Sequence, residues 1–303
     1  MKPFNVRSFA AIAVLAPALA CAPRATTVGS PAAGSAAASN TRTIGSVGAP
    51  VGLQLWSLRS MSKDPAAMFS LARSMGVTHV ETAGLYGMTP EQFAAALRAA
   101  DLRATSMHIG LDEFKKNPQN VIGTAKALGV KYVGTAWYPH QGAFTEADAR
   151  KAIADFNAIG KTMKAAGLQF FYHNHGYEPV AFGDGTLLDL MIRETDPELV
   201  KFEMDVLWTL LPNVDPAALI RKYAGRFKLM HIKDMKPGIA RGSLSGGLPD
   251  SSQAVIGQGQ VNWPEVLKAA KADGLEYYYL EDETTDPVHN IPPSISYLSG
   301  IKF

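Results

Sequence analysis

Several scarcities limit what this chain can be. It has one cysteine in 303 residues, Cys21, so no intrachain disulfide can brace it. Charged residues are only 18%, and 29 lysines and arginines nearly match 27 aspartates and glutamates. A net charge of +2 gives no electrostatic footprint for DNA, RNA or an anionic membrane surface. No Gly-x-Gly-x-x-Gly run follows the first strand-like segment, which argues against a dinucleotide-binding open sheet. What is abundant is apolar residues, at 47% enough to fill a large core.

The N-terminus reads as an export signal. Lys2 and Arg7 precede a short apolar run from Phe9 to Leu19, and Ala18-Leu19-Ala20 satisfies the small-x-small cleavage rule. That run is shorter than the roughly 20 residues a bilayer span needs. Residues 1–20 are therefore expected to be a signal peptide. Its loss removes Lys2 and Arg7 and brings the basic residues to 27, equal to the acidic ones. Cys21 follows the cleavage site directly, which resembles a bacterial lipobox, although Leu19 stands two residues before the cysteine and not three. The expected location is outside the cytoplasm, periplasmic or as a membrane-anchored lipoprotein, with an acyl chain on Cys21 as the only membrane contact. Simple secretion is the alternative. Residues 21–49 are rich in Ala, Ser, Gly and Pro and read as a flexible tether. The folded domain is expected over 50–303.

From residue 51 onward, β-rich runs alternate with amphipathic helical runs. Strands are expected at 51–58, 77–82, 104–109, 132–136, 169–173, 200–205, 228–232 and 277–281. Helices are expected at 65–75, 90–100, 118–128, 145–166, 186–194, 215–224, 263–273 and near 290–299. Thr89-Pro90-Glu91 supplies an N-cap and a first-turn proline, while Gly76, Gly129, Gly167 and Gly274 close helices before the next strand. Eight β/α units in about 250 residues predict a single-domain α/β (β/α)8 TIM barrel.

In such a barrel the active site forms where the strands end, and the ends here are polar. They carry Glu81, His108, His173-Asn174-His175 with Glu178 just beyond, Asp205 with Trp208 after it, His231 with Lys233, and Glu281. Five of the seven histidines lie at or close to these ends. Carboxylates with imidazole suit one divalent metal of the Mn2+, Mg2+, Co2+ or Zn2+ kind. Asp205, His231 and Glu281 come from three successive strands and can converge on one ion. The strand-5 ligand is either Glu178 or His173, with Glu178 preferred for charge balance.

The run His173-Asn174-His175-Gly176-Tyr177-Glu178 resembles the HNHxxE motif of the sugar phosphate isomerase/epimerase family, within the xylose isomerase-like TIM barrels. Met204-Asp205-Val206-Leu207-Trp208, His231-Ile232-Lys233-Asp234, the 256–263 segment and Tyr279-Leu280-Glu281 match in the same order. The resemblance covers 51–303. It implies a Glu/Asp/His/Glu metal set, here Glu178, Asp205, His231 and Glu281. Two departures stand out: His173 occupies the strand-5 end where many relatives carry glutamate, and Gly257-Gln258-Gly259-Gln260 replaces a more acidic loop.

The chemistry expected is removal of a proton beside a carbonyl, with a metal stabilising the enediolate. His175 or His173 is expected as the base, with Glu281 able to serve as both ligand and base. Lys233 is expected to hold a substrate oxygen, and Glu81, His108 and Trp208 to shape a sugar pocket. Export and the lack of a Gly-rich phosphate loop favour a non-phosphorylated sugar or keto-sugar. Isomerase or epimerase is the first expectation, and a lyase or hydratase acting on 3-keto-glycosides the second. A non-catalytic sugar-binding lipoprotein remains an alternative, and near-zero charge argues against the apurinic endonucleases that share this barrel. The partner expected is a small sugar, with no nucleic acid.

Overall fold

The computed structural model describes residues 41–303. The signal peptide, Cys21 and the tether as far as residue 40 lie outside the described residues. Eight parallel strands close into a barrel in chain order: β1 Gly52–Gln54, β2 His79–Thr82, β3 Arg103–His108, β4 Tyr132–Thr135, β5 Gln169–His173, β6 Val200–Asp205, β7 Phe227–Ile232 and β8 Tyr277–Leu280. β1 closes the ring by pairing with both β2 and β8. Main helices between the strands are α1 Pro65–Ser74, α2 Pro90–Ala99, α3 Pro118–Leu128, α4 Glu146–Ala165, α5 Leu187–Glu194, α6 Pro216–Lys222 and α7 Trp263–Asp273, with α8 Pro287–Gly300 after β8. Among the described residues, no helix is long and apolar enough to cross a membrane.

Local chemistry explains the helix boundaries. Thr89 caps α2 in a reciprocal capping box with Gln92, and Thr145 does the same for α4 with Asp148. α3 and α7 end on Gly129 and Gly274 in the left-handed conformation. The outer faces of the strands pack against the helices through buried Phe69, Phe93, Phe156, Phe170, Phe202 and Trp263.

Inside the ring the filling changes with height. Tyr132, Phe171, Leu229 and Tyr279 form an apolar plug. Gly134 makes room for it, because a Cβ there would sit 2.6 Å from the Phe171 ring. Above the plug, Tyr279 contacts the hydroxyls of Thr105 at 2.7 Å and Ser106 at 2.9 Å, and a charged layer begins.

Two expectations need correction. The first strand is three residues long, because the chain turns into a 3-10 helix over Leu55–Met61, with the Gln54 side chain accepting the Trp56 N–H. The end of the supposed tether is also fixed in place. Ile44 is fully buried, Thr43 bridges Pro50, and Gly45 and Ser46 donate to the carbonyls of Leu298 and Ile301. A buried side chain and a set of backbone hydrogen bonds to distant residues hold a segment that composition marks as flexible.

Candidate functional site

The strand ends open into a cavity of about 330 Å3, lined by side chains of the barrel and its loops, including Gln54, His108, His173, His175, Trp208, His231, Lys233 and Glu281. Alternation along each strand explains the convergence. His231 and Lys233 sit two residues apart at the end of β7, as do Glu203 and Asp205 on β6, so each pair points inward.

On the cavity floor, His173 Nε2 lies 3.1 Å from His231 Nδ1 and 3.5 Å from Asp205 Oδ2. Glu281 Oε2 lies 3.2 Å from the same His231 nitrogen. The Asp205 Oδ2 atom is buried and has no hydrogen-bond partner. Two imidazole nitrogens and the unsatisfied Asp205 oxygen facing one another, with the Glu281 carboxylate beside His231, fit a borderline divalent cation. His173, Asp205 and His231 offer ligand atoms all within 4.8 Å of one another.

Glu178 is not part of this convergence. Its carboxylate accepts the Tyr172 hydroxyl at 2.6 Å and the His175 backbone N–H at 3.0 and 2.9 Å on its two oxygens. It ties the turn after β5 to the strand, and burial pushes its carboxyl up to about 8. The structure brings His173 to the position that the sequence reading gave first to Glu178.

Beneath the floor lies a second polar group, made of Glu81, His108, Glu203 and His231. Glu81 Oε1 meets His231 Nε2 at 2.6 Å and the Gln54 amide at 2.8 Å, while Oε2 accepts the Ser106 hydroxyl at 2.5 Å. His108 Nε2 is 2.8 Å from Glu203 Oε2. Burial would raise Glu81, but the His108 charge and the His231 hydrogen bond overcome it and hold the carboxyl near 2. Glu203 is pushed up to about 7 by burial and by the Glu81 charge. Glu81 was expected to shape the sugar pocket; it is fully buried and faces the floor residues from below. His108 and Trp208 do line the cavity.

The remaining groups divide by charge. Burial would lower Lys233, but the charges of Glu281, Asp205 and Glu283 outweigh it and hold the ammonium well above its usual range; it bonds Glu281 at 3.0 Å and also Glu283. Lys233 is thus a fixed cation and no proton acceptor. Burial holds His175 well below its ordinary value. Its Nδ1 has no hydrogen-bond partner, and its ring stacks on Trp208 at 5.5 Å and 29°.

Sequence reasoning passed over Glu203, Gln54, Trp56 and Trp137. For Glu203 the signal was present, since it stands two residues before Asp205 on a strand and must share its face.

The model of the xylose isomerase-like TIM barrels matches residues 69–300. The chain belongs to that family. The inosose dehydratase of Clostridium beijerinckii is 26% identical to this xylose isomerase-like barrel over 144 residues, 45% of this chain and 48% of that protein. The chain thus spans about half the length of the curated relatives it matches. A solved sugar phosphate isomerase/epimerase of Parabacteroides distasonis is 27% identical, with a TM-score of 0.67 over 83% of this chain and 98% of the other. The IOLI protein, whose structure holds a zinc atom, shares the fold at 13% identity, with a TM-score of 0.60 over 82% and 94% of the two chains.

Proposed function

We propose that this barrel is a metal-dependent enzyme that removes a proton from carbon beside a carbonyl in a cyclic keto-sugar or polyol ketone, with loss of water as the outcome. The observation that carries this reading is the convergence of His173, Asp205 and His231, with Glu281 against His231, beside a His175 whose Nδ1 has no hydrogen-bond partner. Those four residues would hold the ion. Bound there, a divalent cation supplies positive charge for the oxygen that becomes an oxyanion as the proton leaves.

The chain's own groups do the rest. His175 takes the proton, since its neutral form is the one present at neutral pH. Asp205 and Glu281 favour the imidazolium that results. Lys233, held between Glu281 and Glu283, donates to a substrate oxygen. Trp208 packs against ring C–H groups. The C–H pair becomes the new C=C bond as the hydroxyl on the neighbouring carbon departs. That hydroxyl takes back from the His175 imidazolium the proton just removed and leaves as water, which returns His175 to its neutral form.

Dehydration moves ahead of isomerisation for a specific reason. Epimerising a carbon by two-base exchange needs a proton acceptor and donor on opposite faces, and besides His175 the carboxylates at hand would hold the ion or, like Glu283, are paired with Lys233. Similarity to inosose dehydratases supports the same choice. Proton transfer between adjacent carbons by His175 alone, an isomerase outcome, is the second reading, favoured by the Parabacteroides likeness. Export with a lipid anchor on Cys21 remains part of the proposal.

The test is incubation of metal-loaded protein with inosose and with 3-keto-glucosides in deuterated water, beside Asp205→Ala. Solvent deuterium uptake with an enone product, lost in the variant, supports the proposal. Rearranged product without loss of water selects the isomerase reading. Neither uptake nor product, with metal bound, overturns both.

A further inference from the structure

Trp56 and Trp137 are 45% and 42% exposed, and both line the cavity. They follow β1 and β4, three strands apart around an eight-stranded ring, and so stand at separate points of the same mouth. Trp208, by contrast, is buried at the floor beside His175 and Lys233. One ring seated over the floor residues has Trp208 for its apolar face. The two outer indoles are left for something else.

Both are braced, which distinguishes them from incidental surface aromatics. The Arg59 guanidinium lies 5.3 Å from the Trp56 ring and bonds the Trp56 carbonyl at 3.2 Å and the Glu283 carbonyl at 2.6 Å. Trp137 packs edge-on against Tyr177 at 4.7 Å and stacks with His140 at 5.4 Å and 23°. The loop 236–252 presses on it from the third side, where a Cβ on Gly246 would sit 2.6 Å from the indole. Side chains fixed before binding lose little freedom on binding. The charge at the mouth also selects. Among the described residues, Lys233 is the only lysine or arginine lining the cavity, and two glutamates neutralise it. Arg59, against Trp56, is paired with Asp250 and the Glu283 carbonyl, so a phosphate meets no unpaired cation there, whereas an uncharged ring has two aromatic faces.

Building on the sugar-processing reading, we propose that Trp56 and Trp137 form an outer subsite, and that the substrate is a glycoside carrying a second, uncharged ring. The test is equilibrium binding by calorimetry on the full chain, with glucose, cellobiose and phenyl β-D-glucoside as probes. It does not depend on turnover, so failure of the proposed chemistry would leave its result intact. The two-ring probes are expected to bind about tenfold or more tightly than glucose. The double variant Trp56→Ala/Trp137→Ala should bring them down to glucose's affinity, while the Trp→Phe pair recovers part of the gain. Equal affinity for all three probes, no binding of the two-ring probes at millimolar concentration, or an equal loss for every probe in the double variant overturns the proposal. Unfolding curves of both variants separate lost stacking from lost fold.

Discussion

Glu81 Oε1 lies 2.6 Å from His231 Nε2, while the other nitrogen of the same ring faces Asp205 and Glu281. A carboxylate behind an imidazole fixes the ring's orientation and tautomer, placing the proton on Nε2 and leaving the Nδ1 lone pair for a cation. Glu81→Gln is therefore expected to weaken divalent-metal affinity by about 10–100-fold without abolishing the site. Metal competition against a chromophoric chelator measures it. An unchanged affinity would remove Glu81 from this role.

The two candidates for the β5 ligand predict opposite results. His173→Ala should lose the bound ion, whereas Glu178→Gln should keep it at one per chain. The second variant should instead lower stability by about 1–3 kcal/mol, because a buried hydrogen-bonded carboxylate is disturbed. Metal content by elemental analysis and urea unfolding of both variants decide between them. Metal lost from Glu178→Gln and retained in His173→Ala would restore the assignment read first from the sequence.

Glu178 also predicts a pH effect. Its carboxyl is raised by burial from an ordinary value of 4.5 to about 8. Below 4.5 both folded and unfolded chains carry the proton, so its contribution to stability is fully present. As pH rises the unfolded chain loses the proton first, and the contribution is lost on approaching 8, at up to about 1.4 kcal/mol per pH unit. Wild-type stability measured relative to Glu178→Gln should thus fall between pH 5 and pH 8. A constant difference across that window would mean the carboxyl is ionised in the fold throughout.

Gly134→Ala should be costly for a purely steric reason. The new methyl would meet the Phe171 ring inside the barrel, where nothing can move aside without disturbing Tyr132, Leu229 and Tyr279. A loss of about 1–3 kcal/mol is expected. Chemical denaturation reads it, and a neutral result would show the plug to be loosely packed.

His175→Ala should retain the metal and lower deuterium exchange into a keto-sugar by about 10²–10⁴-fold. Loss of metal together with activity would instead make His175 a structural support of the floor.

The barrel was legible because its signals are local and repeated: capping threonines, closing glycines and β-rich runs recur at regular intervals. Asp205, His231 and Glu281 were legible for the same reason, standing at strand ends that alternation aims inward. Motif spacing left Glu178 and His173 both open as the β5 ligand because it cannot show which way a turn folds a carboxylate; here that of Glu178 meets Tyr172 and one backbone N–H. Trp56 and Trp137 were missed because they follow the strands in loops, where periodicity says nothing of direction. Residues 41–49 read as tether because their partners, Leu298 and Ile301, are more than 250 positions away.

That last pairing bears on how the molecule comes into being. β1 cannot complete its pairing until β8 exists, and Gly45 and Ser46 find their acceptors only in residues 298 and 301. Synthesis is directional, so the early strands leave the ribosome with an open edge and wait until β8 has been made. Such delayed, non-local closure favours slow folding and exposes sheet edges to aggregation. Folding of this chain should accordingly be sensitive to loss of β8 or of residues 298–301 and to the supply of chaperones during that wait.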